Sequence, residues 1–334
     1  MKPTLSIGTA TAEPGKLGVG KIICESLADR AETFIAVTIV HGAKDGPILW
    51  IGSTIHGREI PGIEVVRRIT RDLLDPAELS GAVVCAMPLN PYGFRMQQHN
   101  VPQDGGNVNA KFPGNAEGTL SERLAEMIWR EGVERCDYVI DFHSNLPGGM
   151  EFMCATTCED GSIQRKTIEM AEAFGFPLVR ITRDMWDYDR SLIAHAMDAG
   201  KPAILPEPLA QGILHEDSIQ ASVRGVLNVM KCLGMIGGEI EPQTTLKVAG
   251  GHHVFKDLRT RKAGLALYLV DGGDWVEKGD DLAAIRDPWG NELDRVTSPT
   301  NAYLRSFVPY SIVNPGQIIG TLLEPHDRED LWGS

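Results

Sequence analysis

Through about residue 240, short apolar runs alternate with longer segments of helical period, and this alternation limits the folds open to the chain more than any other feature. Strand candidates are Phe34 to Val40, Ile48 to Ser53, Ala82 to Met87, Tyr138 to Phe142, Leu178 to Ile181 and Ala203 to Leu205. Helix candidates run from about Pro61 to Leu74, Ser121 to Gly132, Ser162 to Phe174, Ser191 to Ala199 and Asp217 to Leu233. The first has a Pro in its opening turn and carries Ile63, Val66, Ile69 and Leu73 on one stripe. Nearly every strand precedes a helix. The pattern predicts a three-layer α/β/α domain with a mixed, largely parallel sheet that binds ligands beyond the carboxyl ends of its strands.

The texture changes after Gly237-Gly238. Turn signals at Asp271-Gly272-Gly273, Lys278-Gly279-Asp280, Asp287 to Asn291, Ser298-Pro299 and Asn314-Pro315-Gly316 separate short apolar runs, as in an all-β module. Val276, Gly279, Leu282 and Ile285 recur as Val313, Gly316, Ile319 and Leu322 at identical spacings, so two similar turn-strand units should pack together. The expected division is residues 1–240 and 241–334, with a linker over about 237–248. The repeat resembles a lipoyl- or biotinyl-type hairpin pair, but its intervening turns hold no Lys to modify. It reads instead as a lid or assembly module, and a homo-oligomer is compatible with that.

Composition excludes several functions. The 43 % hydrophobic and 23 % charged residues are those of a folded globular protein. Forty-five Asp+Glu against 32 Lys+Arg give a net charge of -13, whose field repels nucleic-acid backbones and anionic membranes. With no apolar run of signal-peptide or membrane-spanning length, a cytoplasmic placement is expected. The six cysteines are then reduced thiols, and Cys154 with Cys158 lack a second pair at zinc-ribbon spacing.

The chemistry concentrates at three strand ends. After Ile48 to Ser53 comes His56-Gly57-Arg58-Glu59, read as a helix start on which an imidazole and a carboxylate three apart can share a metal ion. Tyr138 to Phe142 delivers His143 to the same edge, with Asp141 two residues earlier on the same strand face as support for it. His56, Glu59 and His143 leave one position for water, as in a catalytic zinc site. Pro202 to Pro206 ends in Glu207, the candidate general base and then acid; capping or pairing with an Arg is the other role open to it.

His56 to Glu59, Asp141-Phe142-His143, Leu89-Asn90-Pro91-Tyr92-Gly93-Phe94, Phe112-Pro113-Gly114 and Pro202 to Glu207 fall in the order seen in the succinylglutamate desuccinylase/aspartoacylase family of zinc carboxypeptidase-like hydrolases, which the chain resembles over nearly its whole length. The resemblance implies a barrel-type C-terminal domain and one Zn(2+) per chain on two His and one Glu. It also implies a glutamate acting on the zinc water and hydrolysis of a small-molecule N-acyl amide. Two positions depart from the pattern. Ala110 stands where the family has the Arg that grips a substrate carboxylate, and His99 falls near the place of another Arg. Arg95, Arg58 or a protonated His99 are the candidates to stabilise the oxyanion. Asn90, Asn109 and Lys111 are candidates for substrate binding, and Arg190, in the stretch Arg183 to Arg190, for the lost carboxylate grip. The alternatives are a non-catalytic zinc- or ligand-binding relative and a metallocarboxypeptidase. The missing Arg residues favour a neutral or cationic substrate such as an acylated diamine.

Overall fold

The run Leu49 to Ser53 is buried on both faces, as a strand covered from two sides must be. The computed structural model describes residues 3–185, 188–243, 247–248 and 251–327. Its first part contains β1 (Leu5–Ile7), β2 (Ala10–Ala12), β3 (Lys16–Cys24), β4 (Thr33–His41), β5 (Lys44–Ser53), α1 (Pro61–Arg68), β6 (Ser80–Met87), α2 (Pro91–Met96) and α3 (Leu120–Glu131). There follow β7 (Tyr138–Phe142), β8 (Phe152–Ala155), α4 (Gly161–Phe174), β9 (Leu178–Arg180), α5 (Leu192–Asp198), β10 (Ala203–Glu207) and α6 (Glu216–Cys232). No helix of the described residues is long and apolar enough to cross a membrane.

The main sheet has the order β3-β4-β6-β5-β7-β10-β8-β9 and then continues into C-terminal strands. Only β6-β5-β7-β10 and β8-β9 pair in parallel here; β3, β4 and the β10-β8 junction are antiparallel. The sheet is thus mixed rather than largely parallel, because β3 and β4 form a hairpin with no helix between them and β8 runs against β10. Trp50 joins Ile35, Leu124, Ile128 and Ile193 on one face, while Leu49 and Ile51 join Val66, Ile69, Phe174 and Val226 on the other. Strand alternation produces the two cores and hence the three layers.

The first helix departs from its expected length. It is α-helical to Arg68, and Ile69–Leu73 widens into a π turn. There Thr70 Oγ1 donates to the Val66 carbonyl at 2.9 Å, a local bond that competes with the helical ladder. At the α4/α6 crossing Gly225 is required by space: a Cβ would lie 2.5 Å from the Phe174 ring. Gly225→Ala is expected to cost about 1–3 kcal/mol through overpacking, less up to ~1 kcal/mol of helix propensity gained. Chemical denaturation checks this, and an unchanged midpoint would refute it.

The later residues form β11 (His252–Arg259), β12 (Gly264–Tyr268), β13 (Trp275–Val276), β14 (Asp281–Arg286), β15 (Glu292–Thr297), β16 (Ala302–Phe307), β17 (Ile312–Val313) and β18 (Ile318–Pro325). The described residues here are all-β and fall into two sheets. The order β11-β18-β16-β13 prolongs the main sheet, with β11 parallel to β9, while β15-β14-β12-β17 stands apart. The repeat explains the pairing. One unit passes from β13 in the main sheet to β14 in the small one, and the other from β17 in the small sheet to β18 in the main one. Val276, Leu282, Ile285, Val313, Ile319 and Leu322 share one core. Part of the linker (residues 244–246) and residues 328–334 lie outside the described residues.

Candidate active site

β5, β7 and β10 are adjacent and parallel, with Ser53 opposite Phe142 and Ala203 opposite Val139. Their carboxyl ends therefore open on one edge, and three chain segments converge there. Beyond Ser53 the backbone turns at Thr54, whose φ is 66°, and Thr54 Oγ1 donates to the Glu59 carbonyl at 3.0 Å. The Glu59 N–H donates to the His56 carbonyl at 2.9 Å, so the pair sits in a tight turn. The expected helix start is corrected: α1 begins only at Pro61, and the turn itself brings the two side chains together. Gly57 has no space for a side chain, since a Cβ would lie 2.1 Å from the Gly93 carbonyl carbon. Its N–H donates to the His99 carbonyl at 3.2 Å, which ties the turn to the segment after α2.

Two imidazoles address one carboxylate oxygen. His56 Nδ1 is 3.0 Å and His143 Nδ1 is 3.1 Å from Glu59 Oε2. His56 Nε2–H donates to Asn107 Oδ1 at 3.0 Å, and His143 Nε2–H to Asp141 Oδ2 at 3.1 Å. With the Nε2 protons engaged in this way, neutral rings turn their Nδ1 lone pairs toward Glu59. His56 Nδ1 and Glu59 Oε2 are buried and have no hydrogen-bond partner. Three electron-rich atoms aimed at one point repel one another unless a cation stands between them. With no ion between them, the same groups are reconciled by their own charges instead. Burial alone would depress His143, but the Asp141 and Glu59 carboxylates raise it well above its ordinary value. Burial would raise Glu59, yet His56 and His143 hold it far below the usual carboxylate range. Imidazole nitrogen and carboxylate oxygen are zinc donors, so the residues present fit that ion.

His99 forms a second possible set with His56 and Glu59. Its ring stacks on His56 with centroids 3.6 Å apart, and its Nδ1 lies 3.8 Å from the other Glu59 oxygen, Oε1. Gln211 Nε2 also donates to Oε1, at 3.1 Å.

These groups line a cavity of about 270 Å³, with Glu207, Tyr188, Asn109 and Arg305 among its other walls. Glu207 is pushed up to about 7 by burial first and then by Glu59, against the pull of His143, Arg305 and His56. A carboxyl in that range can both take and return a proton near neutral pH. The Tyr188 phenol is held well above its ordinary value by burial, with Cys154, Glu207 and Glu59 adding to the shift, so it stays a proton donor.

Residues 45–233, more than half of the chain, match the sequence model of the succinylglutamate desuccinylase/aspartoacylase catalytic domain. The chain belongs to this family. It is 28 % identical over 264 residues to the N-alpha-acetyl-L-2,4-diaminobutyric acid deacetylase of Halomonas elongata, a match covering 76 % of this chain and 74 % of that protein. Its fold is that of a succinylglutamate desuccinylase/aspartoacylase from Rhodobacter sphaeroides, with a TM-score of 0.82 at 20 % identity over 93 % of this chain and 96 % of the other. The product-bound ectoine utilization protein of Ruegeria pomeroyi also shares it, with a TM-score of 0.80 at 22 % identity over 92 % and 95 %.

Within this desuccinylase/aspartoacylase frame, several expected residues lie elsewhere. Arg95 turns away, donating to Thr33 Oγ1 at 3.1 Å and the Glu32 carbonyl at 3.2 Å, and Arg58 is exposed outside the cavity lining. Desolvation and the neighbouring His56 push His99 down to about 4, which disfavours the protonated form expected of it. Asn90 is buried and accepts from Gly93 N–H at 2.8 Å, as the cap of α2 with Pro91 at its first position. Lys111 and Arg190 line a separate groove with Ala110 and Arg183. Arg183 binds Asp198, Ser191 caps α5, and Trp186 and Asp187 lie outside the described residues. Asn109 does reach the cavity, with its Oδ1 accepting from Leu192 N–H at 3.0 Å.

Sequence reasoning missed Arg305, Tyr188, Gln211 and Asn107. Gln211 and Asn107 lie beside recognised motifs. Arg305 carried no local signal, since it comes from β16 in the C-terminal module.

Proposed function

We propose that the chain is a zinc-dependent deacylase that hydrolyses the amide of a small N-acylated amino acid or amine. His56, Glu59 and His143 hold one zinc, and Glu207 moves the proton. The observation that carries this reading is the convergence of His56 Nδ1 and His143 Nδ1 on Glu59 Oε2, in one cavity with a carboxyl raised to about 7. His143 is preferred to His99 because it addresses the same oxygen as His56 and is oriented by a buried carboxylate, as metal-bound imidazoles usually are. The deacetylase activity named for the Halomonas relative supports the reaction class. A 270 Å³ cavity suits a small substrate.

When bound, zinc would supply Lewis acidity, lowering the pKa of a water toward ~7 and polarising a carbonyl. The protein's own groups do the rest. Glu207 accepts the proton of the attacking water, whose oxygen bonds to the acyl carbon. As the C–N bond breaks, Glu207 returns that proton to the departing nitrogen, leaving a carboxylic acid and an amine. Tyr188 contributes a neutral donor to the cavity wall, and Gln211 fixes Glu59. The test is a panel of N-acetyl diamino acids, N-acetyl diamines, N-acyl acidic amino acids and dipeptides given to the zinc-loaded protein. Hydrolysis of N-acetyl diamino acids or diamines is expected. Cleavage confined to dipeptides would restore the carboxypeptidase reading, and no hydrolysis at all the non-catalytic one.

A further inference from the structure

Glu59 has two oxygens, and the proposed zinc set of His56, Glu59 and His143 converges on only one of them. Oε2 faces His56 Nδ1 and His143 Nδ1, whereas Oε1 accepts from Gln211 Nε2 at 3.1 Å and faces His99 Nδ1 at 3.8 Å. A carboxylate oxygen has two lone pairs, so Oε1 keeps one after the Gln211 bond. The gap of 3.8 Å to His99 is too long for a hydrogen bond, since N–H···O bonds end near about 3.2 Å. Two ligands of one tetrahedral zinc, each about 2.0–2.2 Å from the ion, stand roughly 3.4 Å apart. The spacing is closer to that of a ligand pair.

The ring stack gives a second, independent measure. His99 lies on His56 with centroids 3.6 Å apart and planes within 17° of parallel. Rings stacked in this way hold their corresponding nitrogens about as far apart as the rings themselves. An ion on His56 Nδ1 and another on His99 Nδ1 would therefore take the spacing of two-metal sites, which is roughly 3.5–4 Å. His56, Glu59 and His99 each bring a ligand atom within 4.8 Å of the others. The His99 carbonyl accepts from Gly57 N–H at 3.2 Å, which fixes its segment to the turn that carries His56 and Glu59.

We propose that the cavity binds a second divalent cation on His99 Nδ1 and Glu59 Oε1, with Glu59 bridging the two ions. This rests on the zinc reading above. Imidazole and carboxylate donors select zinc or cobalt over magnesium and calcium, which take oxygen ligands. The second ion has two protein donors where the first has three. The His99 side chain is 41 % exposed against 9 % for His56, so water completes the coordination. The second ion is accordingly the weaker one, and dialysis removes it first. When bound, it brings positive charge to a cavity whose lining does not include Arg58 or Arg95.

Calorimetric titration of the metal-free full-length protein with zinc chloride tests this, in the wild type, His99→Ala, His99→Asp and His143→Ala, with thermal melting to verify folding. The wild type should take up two ions, the second at least about 10-fold more weakly than the first, because a whole ligand is missing from its set. His99→Ala should bind only the first, with affinity changed by less than about threefold, and His99→Asp should regain the second by supplying a carboxylate oxygen in place of nitrogen. Electron paramagnetic resonance of the cobalt(II)-loaded protein adds a readout of proximity. Two cobalt ions sharing one carboxylate couple magnetically, so the signal per ion should change at the second equivalent in the wild type and not in His99→Ala. A second ion that persists in His99→Ala, or that leaves the cobalt signal uncoupled, would overturn the bridged site. A single ion in the wild type, kept by His99→Ala and lost by His143→Ala, would overturn it while the zinc reading stands. A single ion lost by His99→Ala and kept by His143→Ala, or no metal in a folded wild type, would overturn both.

Discussion

Glu207→Gln is expected to lower kcat by about 10²- to 10⁴-fold while leaving the metal content unchanged. Glu207 ends β10, is buried, and shares the cavity with the two imidazoles and Glu59. Gln keeps its shape and hydrogen-bonding reach but cannot take a proton from water or return it to nitrogen. KM should move little, since the loss is felt in the barrier and not in ground-state binding. Steady-state kinetics on the best panel substrate, beside elemental analysis of the same preparation, makes the comparison. Turnover within about threefold of wild type would remove Glu207 from the mechanism. Metal lost together with activity would make it a ligand instead.

His143→Ala should strip the metal. Removing a ligand exceeds the 10–100-fold affinity loss seen when only an outer hydrogen-bond partner is removed. About one zinc per chain is expected in the wild type and a small fraction of that in the variant after equal dialysis. Asp141→Asn should fall between them, because Asp141 Oδ2 only orients His143. His99→Ala is the control that separates the two donor sets. It should retain zinc, since His99 lies 3.8 Å from the other Glu59 oxygen and its side chain is 41 % exposed. Metal lost from His99→Ala and kept by His143→Ala would assign the ion to His56, Glu59 and His99.

The strand ends were legible because each one couples an apolar run to a polar residue with little else to do. Tyr138–Phe142 was bounded without error, and Ile48 to Ser53 missed only the exposed Lys44 to Gly46 and the half-buried Pro47 that begin the strand. The cavity unites His56, Glu59, His99, Asn109, His143 and Glu207 from residues far apart in sequence. What stayed hidden had no local signal. β3 contains Gly18 and Gly20, which blur strand alternation, because β2 packs so close that a Cβ at either would lie within 2.3 Å of its backbone. β8 is four residues long and buried throughout, so it shows no period. The merging of β11 with β9 depends on pairing between distant segments, which turn spacing does not reveal, and Arg305 became visible only through it.

That merging also sets the order in which the protein can mature. The zinc-fitting groups are complete once His143 has been made, whereas Arg305 is added 162 residues later. At about 5–20 residues per second the interval is on the order of ten seconds. During synthesis the growing chain therefore has His56, Glu59 and His143 before it has the guanidinium of the cavity or the strand that covers the edge of β9. Until β11 is made, the edge of β9 has no strand to pair with on that side, and such an edge is open to other chains.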